Sequence, residues 1–129
     1  MTSELETVEK QWNEQAEQWN QWIGDDGDGN RKESSDSYLW KYIGNVDHKT
    51  VLDAGCGNGY LLIKFVLETR IERIIGVDLS SNSIKITTAN VNRRIKSDED
   101  RRKIQLYHDK VSRHNGNLHD FKRYIIKLN

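Results

Sequence analysis

Two acids and a run of glycines carry the chemistry this chain is equipped for. Asp53 is followed by Ala54-Gly55-Cys56-Gly57-Asn58-Gly59, and a second acid, Asp78, closes the next apolar run, Ile74-Ile75-Gly76-Val77. A third acid, Asp109, follows Ile104-Gln105-Leu106-Tyr107-His108. Glycines let the main chain take positive φ and let a ligand come close to it. Carboxylates beside them accept hydroxyl or ammonium hydrogens and repel phosphates. The set suits a ligand that carries positive charge and hydroxyl groups.

The elements that must position these residues read directly from the hydropathy pattern. Thr50-Val51-Leu52-Asp53 is a short strand ending in an acid, the glycines form a tight turn, and Gly59 to about Thr69 continues as a helix with Leu62, Phe65 and Val66 inward. Ile74–Asp78 is a second buried strand. Ser80-Ser81 caps a helix carrying Ile84, Thr88, Val91 and Ile95 on one face. Ile104–His108 is a weaker third strand, and after a polar loop Tyr124–Leu128 is a fourth. This β-α-β-α-β order predicts an α/β fold, a Rossmann-like parallel sheet of about four strands with right-handed crossovers and flanking helices. In such a sheet the ligand lies outside the carboxyl ends of the strands. Asp53, Asp78 and Asp109 all point to that one edge.

The chain has 129 residues and reads as a single domain: an N-terminal helical segment, 1–48, and a cofactor-type core, 49–129. Residues 4–23 set Leu5, Val8, Trp12, Ala16, Trp19 and Ile23 at intervals of three and four, an amphipathic helix whose stripe docks on its own domain, with Trp22 just off it. Gly24-Asp25-Asp26-Gly27-Asp28-Gly29-Asn30 breaks that helix. A calcium loop starting at Asp26 fails, because Arg31 stands where glycine is needed and Ser37 where the final Glu is needed. A second short helix, Tyr38–Ile43, is closed by Gly44-Asn45.

Composition removes other classes. Net charge is zero, yet residues 1–50 hold 5 basic and 11 acidic side chains while residues 51–129 hold 15 basic and 9 acidic. The basic residues Arg93, Arg94, Lys96 and Arg101–Lys103 bracket Asp98-Glu99-Asp100 without interleaved aromatics, the pattern of a solvated loop and not of a nucleic-acid surface. No apolar run approaches the length that spans a bilayer, and the polar N-terminus is unlike a secretory signal. The lone Cys56 excludes an internal disulfide and reads as a packed thiol, so a reducing cytoplasm is the expected compartment. No metal site is expected.

The glycine spacing discriminates among ligands. A dinucleotide turn needs G-x-G-x-x-G, and here Tyr60 occupies the sixth place. No Gly-Lys-Ser or Gly-Lys-Thr follows, which excludes a phosphate-binding P-loop. S-adenosylmethionine fits the remaining chemistry, having no phosphate, a sulfonium, an α-amino group and a ribose diol. The close backbone of Gly55 and Gly57 suits its methionine and ribose part, Asp53 its cationic side, and Asp78 its two ribose hydroxyls.

Val51-Leu52-Asp53-Ala54-Gly55-Cys56-Gly57-Asn58-Gly59 resembles the first motif of class I S-adenosylmethionine-dependent methyltransferases, and Ile75-Gly76-Val77-Asp78-Leu79-Ser80 resembles their second-strand motif. The likeness covers roughly residues 37–110. It implies that Asp53, Ala54, Gly55, Cys56, Gly57, Asp78 and Leu79 surround the cofactor. The segment with Trp12, Ala16, Trp19 and Arg31 is similar to N-terminal helices that lie over the cofactor in small-molecule methyltransferases. That similarity implies that Arg31 meets the methionine carboxylate, that Tyr38 lines the same pocket and that the acceptor is a small molecule. Asp109 matches the family's acid near the adenine amino group, although Lys110-Val111 replaces the usual small residue.

Family members have seven strands, with acceptor-binding and catalytic residues mostly beyond the fourth. Ending at the fourth strand, this chain reads as the cofactor half of the fold, lacking the C-terminal half. A four-stranded open sheet leaves an apolar edge that favours self-association. No general base stands out: His108, His114 and His119 lie in polar sequence around and beyond the third strand. Two readings follow, a methyltransferase and a non-catalytic cofactor-binding remnant or subunit that needs a partner. A dinucleotide oxidoreductase ranks below both on glycine spacing.

Overall fold

A computed structural model describes residues 3–25, 36–109 and 124–128. The elements follow in the order α1 (Glu4–Ile23), α2 (Asp36–Ile43), β1 (Thr50–Ala54), α3 (Tyr60–Glu68), β2 (Arg73–Asp78), α4 (Ser81–Arg94), α5 (Asp98–Arg102), β3 (Ile104–His108) and β4 (Tyr124–Leu128). The α/β architecture read from the sequence is present, with helices beside a sheet and α1 against its carboxyl edge.

Local chemistry sets the helix ends. Ser3 Oγ accepts the Glu6 N–H at 3.1 Å while Glu6 Oε2 accepts the Ser3 N–H at 2.9 Å, a capping box that starts α1. Gly24, at φ 64°, closes it by donating its N–H to Asn20 O. Ser80 Oγ accepts the Ser83 N–H and starts α4. Residues 98–102, expected as a solvated loop, form the short helix α5. Ser97 caps it through the Asp100 N–H, and its acids in the first turn and arginines in the last suit the helix dipole.

The sheet order is β3-β2-β1-β4. β1 pairs parallel with β2, and β2 parallel with β3, but β4 runs antiparallel to β1, with Tyr124 opposite Ala54 and Leu128 opposite Thr50. A wholly parallel sheet was expected, so the fourth strand is a correction. β3 ends at His108 on the carboxyl edge, and Tyr124 pairs with the carboxyl end of β1 on that same edge. A chain entering β4 there needs no crossover back to the amino edge, which a parallel strand would require.

One face of the sheet carries Val51 and Asp53 of β1 beside Ile74, Gly76 and Asp78 of β2, all buried. Gly76 leaves room there for two leucines: an added Cβ would lie 2.7 Å from Leu62 Cδ1 and 2.8 Å from Leu106 Cδ2, so those side-chain ends would have to shift. α3 buries more than the face read from sequence, since Tyr60, Leu61 and Ile63 join Leu62, Phe65 and Val66 inside. Full burial of a large apolar side chain contributes about 1.5–3 kcal/mol, so this helix anchors the core. Trp40 of α2 packs on Phe65 with ring centroids 4.6 Å apart. Leu52, Ile75 and Val77 alternate onto the opposite face and are half-buried.

α1 and α4 pack side by side in the same direction, Asn13 meeting Ser80–Asn82, Asn20 meeting Asn90, and Asp25 meeting Arg93. Their docked faces differ from those predicted. In α1 only Ala16 and Ile23 of the expected stripe are buried, and the polar Asn13 and Asn20 share their side. In α4, Ser83, Thr87 and Asn90 are buried with Val91, whereas Thr88 is exposed. Both shifts have one cause: the interface is held by hydrogen bonds that a hydrophobic period cannot reveal. Among the described residues, no helix is long and apolar enough to cross a membrane.

Candidate cofactor site

β1 delivers its chain to the turn, and β2 grips it. The N–H groups of Gly55 and Cys56 both donate to Val77 O, at 2.7 and 3.0 Å, fastening the start of the turn to the neighbouring strand. Gly57 then takes φ 59° and Gly59 takes φ 81°, conformations that disfavour any residue with a Cβ. Gly59 also has no room, since a Cβ there would lie 2.7 Å from Thr87 Cγ2. Thr87 Oγ1 donates to Gly57 O at 2.7 Å. The Cys56 thiol is buried 4.0 Å from that hydroxyl, in keeping with a packed thiol.

Asp78 ties the two strand ends together. Its Oδ2 accepts the Gly57 N–H and its Oδ1 accepts the Ser80 N–H, each at 2.9 Å. An ionised carboxylate accepts about four hydrogen bonds, so ribose hydroxyls are donors of a suitable kind for it. On the other side, the Asp109 N–H donates to the Asp78 main-chain oxygen at 3.0 Å, which brings the third acid to the second.

α1 covers this edge with polar side chains. Asn20 Oδ1 accepts from Asn58 Nδ2 at 3.0 Å and from Asn90 Nδ2 at 3.1 Å. Asn58 Nδ2 also reaches Gly24 O, its Oδ1 accepts the Tyr60 N–H, and its own carbonyl accepts from Asn90 Nδ2. The Trp19 indole roofs Gly57, its Nε1 lying 3.5 Å from where a Cβ would be. Farther along, Glu9 Oε1 lies 3.0 Å from His108 Nε2, which is also 2.9 Å from Leu79 O. Beyond the helix, Arg93 grips both oxygens of Asp25, and the guanidinium holds that carboxyl below its usual range.

The structure therefore brings together Gly55, Cys56, Gly57, Asp78, Leu79 and Asp109 at neighbouring strand ends. Asp53 and Ala54 lie beneath the turn, Asp53 fully buried. Tyr38 stands on α2 with 60% of its surface exposed, and Arg31 lies outside the described residues. His114 and His119 lie outside them too. Asn13, Asn20, Asn58, Thr87 and Asn90 were missed. The available signal was a pair of asparagines seven residues apart in mid-helix, where asparagine is a poor helix former. Among the described residues, no group of three His, Cys, Asp or Glu side chains is placed to hold a metal ion.

Comparison with known proteins bears on the fold and on the stretch that holds the two motifs. Residues 45–106 match the model of a family described as a methyltransferase domain. The likeness to class I S-adenosylmethionine-dependent methyltransferases thus holds over the stretch that contains both motifs. A search of curated sequences returned no match. Among solved structures, an S-adenosylmethionine-dependent methyltransferase from Aquifex aeolicus aligns with TM-score 0.52 and 16% identity, over 74% of this chain and 47% of that one. The [4+2]-cyclase SpnF aligns with TM-score 0.59 and 15% identity, over 84% and 43%. This chain thus spans less than half the length of either structure. At these identities the likeness is one of fold, and a fold shared with a cyclase does not by itself specify methyl transfer.

Proposed function

We propose that this chain binds S-adenosylmethionine at the glycine turn and forms the donor side of a methyltransferase acting on a small molecule. The observation that carries the reading is the hydrogen bond from the Gly57 N–H to Asp78, because it joins the two motifs into one site. When bound, the cofactor supplies an electrophilic methyl group on a sulfonium. The chain's own residues orient it. Asp78 accepts the ribose hydroxyls, and the main chain of Gly55 and Gly57 packs against the methionine side. Asp53, assigned by resemblance to the cofactor's surroundings, is fully buried beneath the turn. Asp109 is assigned to the adenine amino group by resemblance, a reading its main-chain bond to Asp78 O supports, and Arg31 and Tyr38 are assigned by resemblance alone. Among the described residues His108, at the end of β3, is engaged with Glu9 and Leu79 O, and the reading relies on orientation and proximity for the acceleration.

The second reading is cofactor binding without catalysis. Titration calorimetry with S-adenosylhomocysteine and with NAD tests the shared core. Heat with the first and none with the second is expected, and a preference for NAD would instead favour an oxidoreductase. Methyl transfer by the isolated chain to any small-molecule acceptor would exclude the non-catalytic reading. Binding without transfer across an acceptor panel would favour it.

A further inference from the structure

Asn13 sits in the middle of α1, far in sequence from either motif, yet its side chain is tied to the loop beside Asp78. Its Oδ1 accepts from Ser80 Oγ at 2.6 Å and from the Asn82 N–H at 3.2 Å, with Ser81 Oγ at 3.5 Å. Its main-chain oxygen accepts from Asn82 Nδ2 at 2.9 Å. The Asn82 main-chain nitrogen can only donate, so the Asn13 atom facing it is the oxygen. Ser80 is fully buried, and its hydroxyl serves α4 as well by accepting the Ser83 N–H. Its own N–H donates to Asp78 Oδ1.

Asn13, Ser80 and Asp78 therefore form one chain of hydrogen bonds running from α1 to the carboxylate at the end of β2. We infer that Asn13 is a positioning residue for Asp78: it fixes the N-terminus of α4 at Ser80–Asn82, and through the Ser80 N–H it sets the direction in which that carboxylate presents itself to a ribose diol. The inference rests on the ribose role proposed for Asp78. An α1 that merely shields the core needs no hydrogen-bond acceptor at this position, and a leucine of similar volume would serve there. An acceptor aimed at three donors of the cap and first turn of α4 instead specifies where that helix begins.

The test compares S-adenosylhomocysteine with its 2′,3′-dideoxy analogue by calorimetry on wild type, Asn13→Leu and Asn13→Asp. Asn13→Leu should bind S-adenosylhomocysteine about tenfold more weakly while the analogue changes by less than about twofold, the size of one lost hydrogen bond felt only through the hydroxyls. Asn13→Asp keeps the acceptor and places negative charge at the N-terminus of α4, where it is favourable, so it should restore the discrimination. Equal weakening of both ligands, or none, would overturn the inference. If Asn13→Leu does not fold, Ser80→Ala cuts the same bond from the other end and must show the same selective loss; undiminished discrimination overturns it. A wild type that binds both ligands equally well contradicts the ribose role of Asp78 itself, a separate outcome visible before any variant is made.

Discussion

Asp78, at the end of β2, accepts the main-chain N–H of Gly57 at 2.9 Å, although Gly57 lies in the turn after β1 and in a different motif. The bond requires the turn after β1 to bend toward β2, which the zipper of Gly55 and Cys56 onto Val77 O enforces. A charged acceptor on a backbone donor is stronger than a neutral pair. The turn and the acid thus shape each other before any ligand arrives.

Gly59→Ala should be among the most damaging single substitutions in the turn. The left-handed φ of 81° costs a residue with a Cβ about 1–2 kcal/mol. The approach of 2.7 Å to Thr87 Cγ2 adds strain of overpacking, for a total of about 2–4 kcal/mol. Urea unfolding measures it. Adding Thr87→Ser, which removes that methyl and keeps the hydroxyl, should recover part of the loss; no recovery would mean that backbone strain is the whole effect.

Asn20→Ala should lower stability by about 1–2 kcal/mol, because it removes an acceptor shared by two side-chain amides in the α1–α4 interface. Asn58 and Asn90 are buried, 3% and 9% exposed, so water does not readily replace the lost partner. A melting temperature equal to that of wild type would show that α1 is held by packing alone.

The pair of Asp25 and Arg93 makes a small pH-dependent contribution. Arg93 lowers the folded-state pKa of Asp25, so the stabilisation is present above the unfolded carboxyl value and is lost as pH falls through the depressed folded value. Both side chains are well exposed, 42% and 55%, so solvent screening keeps it to about 0.5 kcal/mol. Comparing wild type with Asp25→Asn from pH 7 down to pH 3 should show the gap between them close with acid. A gap that widened would reverse the sign of the linkage.

Much of this was legible in the sequence. Val51–Gly59 and Ile74–Asp78 announce strand, turn and strand because buried parallel strands are continuous apolar runs and glycines mark positive φ. The span of α1 was legible for a similar reason, its apolar residues recurring at helical period. The partners of α1 were not. Hydrophobic spacing picks out Trp12 and Trp19, while the contacts that orient the helix come from Asn13 and Asn20, whose value depends on donors more than thirty residues away in the chain. The direction of β4 was illegible as well, since Tyr124–Leu128 has the same pattern whichever way it runs and only the place where the chain enters the sheet decides it.

The central claim, that Asp78 and the glycine turn make one S-adenosylmethionine site, is tested most directly by titrating S-adenosylhomocysteine into wild type and Asp78→Ala, each confirmed folded by circular dichroism. Loss of the carboxylate should weaken binding by at least about tenfold, since two ribose hydroxyls lose a charged acceptor. Binding of full strength by folded Asp78→Ala, or none by wild type, would contradict it.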